Sequence, residues 1–283
     1  LWHTLSLHDA LPISILRASK RAIRPGSISP SATGCTERAN PDGTHYDEYY
    51  QFTSEVRMVE KPLLSATEAI GLVGRGMSLM IGGFLGCGTP PSLIAALLNS
   101  GTDELRIIAN DTAVYDPDKG RSNGFAELVA AGRCSGVVTS HIGTNKATQQ
   151  LMREGALEVT LVPQGTLVER IRAAGAGLGG VLTPTGVGTE VEEGKQRITL
   201  HGKAYLLETA LFADVALIYA ARGDRAGNLV YRKTERNFSP VMATAAKTVI
   251  AEVEELVEIG EIDPEVVVTP GLYVDYLVLS VVA

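Results

Sequence analysis

From residue 58 onward, short apolar runs alternate with amphipathic segments, and the alternation predicts strands and helices in turn. The run "MSLMIG" is apolar and bounded by glycines, the pattern of a strand buried on both faces. "TPPSLIAALLNSG" then places Pro90 or Pro91 in a first helical turn after Thr89, with Ser100-Gly101 as its stop. "ELRIIAN" reads as the next strand, "GFAELVAAG" as a helix, "SGVVTS" as a strand and "NKATQQLMREG" as a helix. "LEVTLVPQG" and "TLVERIRAAG" repeat the strand–helix pair. Such repetition predicts a mostly parallel central sheet covered by helices on its faces.

The rhythm breaks at residues 175–194, "GAGLGGVLTPTGVGTEVEEG", a glycine-rich stretch of the kind that serves function or motion. "RITLHGKAYLLE" offers two strand-like runs around His201-Gly202, which suit a tight turn. "DVALIYAAR" and "TVIAEVEEL" return to the main sheet, and "VVVTPGLYVDYLVLS" adds a Thr-Pro-Gly turn. The expected fold is one α/β domain over residues 58–283, three layers in αβα order, with a small β excursion near residues 180–210.

Residues 1–57 read differently. They hold the only tryptophan and three of the five histidines, without sustained periodicity. The segment from Leu5 to Ile15 is interrupted by His8 and Asp9, and no basic region precedes it, so a secretory leader is not expected. "TLSLHDALPI" resembles one translated frame of a common sequencing adapter. The expectation is a non-native or disordered extension, with Met58 as the natural start.

Composition narrows the function. Of 283 residues 45% are hydrophobic, enough for a sizeable core, yet no apolar run reaches the roughly 18 residues of a membrane span. A net charge of −7 without a basic cluster argues against a nucleic-acid partner. Cys35, Cys87 and Cys134 have neither the even count of a disulfide framework nor the spacing of a zinc site, so a reducing, cytoplasmic compartment is expected.

The chemistry concentrates at "GGFLGCG", residues 82–88, between a buried strand and a helix. A glycine loop leaves no side chains between backbone N–H groups and a ligand, and a helix N-terminus adds partial positive charge. That suits a phosphate or a developing oxyanion. The plainer alternative is a tight turn whose glycines only permit close packing. A dinucleotide fingerprint wants G-x-G-x-x-G and an acid about 20 residues on, a place Asp111 could fill. The glycine spacing here misses that pattern, and no G-K-[ST] follows to make a P-loop.

"GGFLGCGTP" matches the G-G-F-x-x-x-G-x-P signature of the family I CoA-transferases. Arg75 stands where that signature prefers Asp or Asn, outside the loop. "IANDTA", "SHIGTN", "LVPQGTLVERIRAAGAGLGG", "LTPTGVGT", "VEEGK" and "GNLVY" are similar, in that order, to the α subunit of acetate/acetoacetate (short-chain 3-oxoacid) CoA-transferases. The resemblance covers the chain from Met58 to its end.

It implies a ribose-5-phosphate-isomerase-like fold and transfer of CoA from an acyl-CoA to a short-chain carboxylic acid, with no metal or redox cofactor and CoA as substrate. It also implies that the attacking glutamate sits in a Ser-Glu-Asn-Gly-like motif of a β subunit, in an α2β2 assembly with the active site at the α–β interface. No Glu-Asn-Gly occurs here, and Glu190, Glu192 and Glu193 are expected to serve structure or solvent.

By the same resemblance Gly82, Gly83, Phe84, Leu85, Gly86, Cys87 and Gly88 line the CoA site. Asn110 and Gln164 reach the active site, where amides donate hydrogen bonds without a charge that would trap substrate. Their structural alternatives are a turn cap for Asn110 and a strand-end hydrogen bond for Gln164. Cys87 is expected to be a packed thiol, and His141 either faces the cleft or caps a strand. Arg222, Arg225, Arg232, Lys233 and Arg236 could meet CoA phosphates or a partner, with solvated charge as the default. A nicotinamide-dependent oxidoreductase and a non-catalytic ligand sensor remain as alternatives. A sensor of the sugar-phosphate-responsive kind would carry a DNA-binding head, and residues 1–57 offer no such pattern.

Overall fold

The computed structural model describes residues 59–281; the readings for residues 1–57, Met58 and Cys35 lie outside them. The strands are β1 (Leu63–Leu64), β2 (Ser78–Ile81), β3 (Leu105–Ile108), β4 (Tyr115–Asp116), β5 (Arg121–Ser122), β6 (Cys134–Thr139) and β7 (Glu158–Leu161). They continue with β8 (Gly180–Thr183), β9 (Arg197–Leu200), β10 (Lys203–Thr209), β11 (Ala213–Asp224), β12 (Leu229–Val230), β13 (Ala246–Val257) and β14 (Tyr276–Leu279). The helices are α1 (Ala66–Ile70), α2 (Pro91–Ser100), α3 (Ala126–Ala130), α4 (Lys146–Arg153), α5 (Gln164–Gly175) and α6 (Ser239–Ala243).

A nine-stranded sheet runs β1-β14-β13-β11-β2-β3-β6-β7, with β12 paired to β11. Every pair in it is parallel except β11 with β12. Strand side chains alternate between faces, and the two hydrophobic cores follow that alternation. Leu79, Ile81, Val215, Leu217 and Ile250 join α1, α2 and α3 on one face. Met80, Ala216, Ile218, Val249 and Ala251 join α5 and α6 on the other. This is the three-layer αβα arrangement expected from the alternating segments. Fully buried Leu93, Leu97, Leu167 and Ile171 lock helices to both faces, each contributing about 1.5–3 kcal/mol by burial.

Local signals act where the sequence places them. Pro91 opens α2 and Gly101, at φ 75°, ends it. Asn145 caps α4 by accepting from the Thr148 N–H at 3.0 Å. His201 and Gly202 both adopt positive φ between β9 and β10, as a two-residue hairpin turn requires.

The β excursion expected near residues 180–210 is present: β8 pairs with β10 in a three-stranded antiparallel sheet, and a 3-10 turn lies at Glu190–Glu192. One expectation changes. Helix α5 begins at Gln164, earlier than its apolar periodicity shows, because the fixed backbone of Pro163 ends the preceding strand and opens the helix. Because the strands are parallel, the segments that leave β2, β3, β6 and β7 gather at the carboxyl ends of the strands. Those ends are where open α/β sheets bind ligands.

Candidate active site

The turn after β2 is built against its neighbours. Phe84 and Cys87 exchange backbone hydrogen bonds, each 2.9 Å. The Gly82 N–H donates to the Leu217 carbonyl, the Gly83 N–H to Asn237 Oδ1 and the Leu85 N–H to Asp111 Oδ2, at 2.9–3.0 Å. Asn123 donates to the Leu85 carbonyl, and Asn237 to that of Cys87. The glycines answer to packing. A Cβ on Gly83 would strike the Thr89 hydroxyl, and one on Gly88 would lie 2.5 Å from the Glu235 carbonyl oxygen. Gly82 is pressed likewise by Ser239 and Gly86 by Asn123. Leu85, at φ 49°, holds a left-handed conformation that costs a non-glycine residue energy. The result places Phe84 and Leu85, 44% and 36% exposed, at the tip.

This geometry corrects one part of the sequence reading. The helix N-terminus does not present its charge to a ligand. The Ser92 and Leu93 N–H groups of α2 each donate, at 3.0 Å, to the carboxylate of Glu252, which is 0% exposed. The Ser280 hydroxyl donates to the same carboxylate. The protein's own anion occupies the positive end of the helix. Most N–H groups of the turn are also engaged within the chain, so the turn is a rigid positioned edge rather than an open nest.

Beside it lies a cavity of about 260 Å³ lined by Phe84, Leu85, Asn110, Asp111, Ser140, His141 and Gln164. The two amides singled out from sequence meet here: Gln164 Nε2 donates to Asn110 Oδ1 at 2.6 Å. Asn110 Nδ2 donates to Asp111 Oδ2 at 2.7 Å, and the Ser140 hydroxyl to the Asn110 carbonyl at 2.6 Å. Asn110 is 2% exposed, whereas Gln164 opens onto the surface at the first position of α5. Asp111 also accepts from the Ala113 N–H at 2.7 Å, so its carboxylate is bound by the chain itself. His141 lines the cavity, its backbone bridged to Asp111.

A second cavity, about 590 Å³, shares Phe84 with the first and is lined by Phe84, Cys87, Lys233, Thr234, Arg236 and Asn237. Cys87 is exposed rather than the packed thiol expected from sequence, and its sulfur lies 3.5 Å from the Thr234 hydroxyl oxygen. The structure does not bring the remaining candidates to either cavity. Glu192 accepts from the Gly188 N–H, which holds its carboxyl below the usual range, and pairs with Arg197. Glu190 opens the same 3-10 turn and Glu193 caps its end. Arg222, Arg225 and Arg232 pair with Glu255, Glu258 and Glu254. Cys134 is buried, its thiol pushed up to about 12 by desolvation, and so inert. Among the described residues no cluster suits a metal ion and no helix is long and apolar enough to cross a membrane.

Sequence reasoning missed Asp111 as the clamp of the turn, and missed Asn123, Asn237 and Glu252 entirely. An exposed-looking amide or acid carries no sequence signal for a partner more than a hundred residues away, as Asn237 and Glu252 have.

Residues 63–280 match the family described as Coenzyme A transferase. The acetate CoA-transferase subunit alpha of Escherichia coli (strain K12) is 52% identical over 218 residues, 77% of this chain and 96% of that protein. The acetoacetyl-CoA:acetate/butyrate CoA transferase alpha subunit of Clostridium acetobutylicum is 49% identical over 203 residues, 72% of this chain and 90% of that protein. Among solved structures, an acyl-CoA transferase from E. coli O157:H7, in a thioester complex with CoA, superposes with a TM-score of 0.70. It is 24% identical and covers 78% of this chain, which spans 47% of that longer one. At that identity the likeness speaks for the fold.

Proposed function

Because the chain belongs to the coenzyme A transferase family, we propose that it is the α subunit of a heteromeric transferase moving CoA between a short-chain acyl-CoA and a free carboxylate. The observation that carries this reading is the cavity beside the Phe84–Leu85 tip, which gathers amides and no glutamate. The site has donors to steady a reacting carbonyl and lacks the group that attacks it. A partner subunit bearing a glutamate completes it, in an α2β2 assembly with the site at the subunit interface. The relatives named above, themselves α subunits, support the existence of a partner subunit.

In the proposed reaction the partner's glutamate attacks the thioester carbonyl. The C–S bond breaks, leaving an acyl-glutamyl anhydride and CoA thiolate. The thiolate attacks the glutamyl carbonyl, releasing the first carboxylate and leaving a glutamyl-CoA thioester. The acceptor acid reverses both steps, so exchange proceeds through covalent intermediates of moderate energy. This chain's contribution is donors placed beforehand. A carboxamide carries two N–H hydrogens. One Gln164 hydrogen is spent on Asn110, and the other faces the substrate carbonyl or carboxylate. Asn110, buried and bonded to Asp111 and Ser140, fixes that orientation rather than touching substrate itself.

A nicotinamide enzyme is disfavoured on two counts. Asp111 is already bound by three donors of the chain, and Glu252 closes the helix end where a pyrophosphate would sit. The test is reconstitution. The purified chain alone is expected to transfer no CoA from acetoacetyl-CoA to acetate, and addition of a glutamate-bearing β subunit is expected to restore turnover. Transfer by the single chain would overturn the proposal.

A further inference from the structure

We infer that Lys233 and Arg236 form the subsite of this chain that receives the phosphate groups of CoA, in the larger cavity beside Phe84. The inference rests on the proposed function and extends it to residues that reading does not use. Nearby cations are neutralised: Arg232 pairs with Glu254 at 2.8 Å, Arg222 with Glu255 at 2.8 Å and Arg225 with Glu258 at 2.8 Å. Lys233 and Arg236 have no carboxylate within ion-pair distance among the described residues, yet both line one cavity of about 590 Å³. The acid between them, Glu235, is absent from the lining, with its Oε2 buried. The two cations therefore line the cavity without an ion pair among the described residues, an arrangement that favours a polyanion.

Their position is fixed by the same contacts that hold the glycine turn. The 3-10 turn Lys233–Arg236 ends at Asn237. The Asn237 carboxamide accepts from the Gly83 N–H and donates to the Cys87 carbonyl, each at 3.0 Å. Gly88 lets the Glu235 carbonyl press against the turn. Lys233 is held at φ 49°, a left-handed conformation kept only where surrounding contacts enforce it. Phe84 stands in the lining of both cavities. A ligand anionic at one end and reactive at the other can thus lie across Phe84, its phosphates on Lys233 and Arg236 and its thioester beside Gln164. CoA has that construction, with a flexible uncharged arm between the two ends. Acyl pantetheine has the arm without the phosphates.

The comparison of those two substrates supplies the test, made on the chain assembled with its β subunit. The double variant Lys233→Gln/Arg236→Gln is expected to raise KM for acetoacetyl-CoA roughly tenfold or more, as loss of charge-assisted phosphate contacts implies. It should leave kcat/KM for acetoacetyl-pantetheine within about twofold. The charge-conserving pair Lys233→Arg/Arg236→Lys should restore KM for the CoA substrate. Equal losses on both substrates, no loss on either, or failure of that rescue would overturn the inference. If the wild-type assembly transfers no CoA at all, the proposed function fails instead. Calorimetric titration with 3′,5′-ADP then decides on the subsite: binding that the double variant loses supports it, and absence of binding to the wild type overturns it.

Discussion

Two glycine-rich stretches of this chain look alike in composition and differ in what their glycines do. In residues 82–88 every glycine is pressed by an atom from outside the stretch: Ser239, Asn123, the backbone of Glu235 and, for Gly83, the adjoining Thr89. In residues 175–194, Gly177, Gly179, Gly188 and Gly194 have nothing within 4 Å of a would-be Cβ, although Gly175, Gly180 and Gly186 are crowded. The first stretch is a fixed edge clamped by distant segments. The second reverses the chain into a small antiparallel sheet. Glycine content marks both, and only the surroundings say which one positions chemistry.

The largest contrast should come from Gly88→Ala. The added Cβ would meet a backbone oxygen at 2.5 Å with φ at +78°, so a stability loss of about 2–3 kcal/mol is expected. Loss of transfer by the reconstituted enzyme should accompany it. A thermal melt with an unchanged midpoint would break the comparison. Next comes Glu252→Gln. It replaces a buried carboxylate that accepts from Ser92, Leu93 and Ser280, with a cost of about 2 kcal/mol measured by urea unfolding. A neutral outcome would mean that the helix end is not sealed as described.

A yardstick away from both stretches is Asp214, whose carboxylate accepts from Lys247 Nζ at 2.8 Å and from the Ser78 N–H and hydroxyl. Lys247, first, and then Ser78 hold its pKa down to about 2. A depressed folded-state pKa means stability that is complete above about pH 4 and lost as pH falls toward 2. Screening at this partly exposed pair reduces it to about 1 kcal/mol. Asp214→Asn should therefore lower Tm by about 2–4 °C at pH 7, and the gap should close near pH 2. A gap that persists there would contradict the assignment. The smallest effect belongs to Gly179→Ala in the second stretch, where space is open and φ is not left-handed. It should be neutral or stabilising by about 0.5 kcal/mol, with full activity. A marked loss would show that the second stretch, too, is tightly fitted.

The layered fold was legible in the sequence because its strands alternate cores residue by residue, as Leu79, Met80 and Ile81 do. The His201-Gly202 turn was legible because two positive φ values in a row demand such residues. That Asn110 and Gln164 reach one site was indicated only by resemblance, and their hydrogen bond was not legible, since the residues lie 54 positions apart. Glu252 was not legible: in β13 it reads as one acid among several, and its role exists only once α2 and the end of β14 are folded against it. Asp111 was noticed for the wrong ligand. Its distance from the glycines suited a ribose, while its bonds run to Leu85, Ala113 and Asn110. Helix α5 hid its first residues because Gln164 and Gly165 precede the buried positions that give the helix its period.

In the proposed reaction this chain frames the site and a partner supplies the attacking carboxylate. Intact-mass and peptide spectrometry of the reconstituted enzyme after incubation with acetoacetyl-CoA tests it most directly. A CoA thioester on a glutamate of the partner subunit and an unmodified mass for this chain are expected. A CoA adduct on a glutamate of this chain would contradict it.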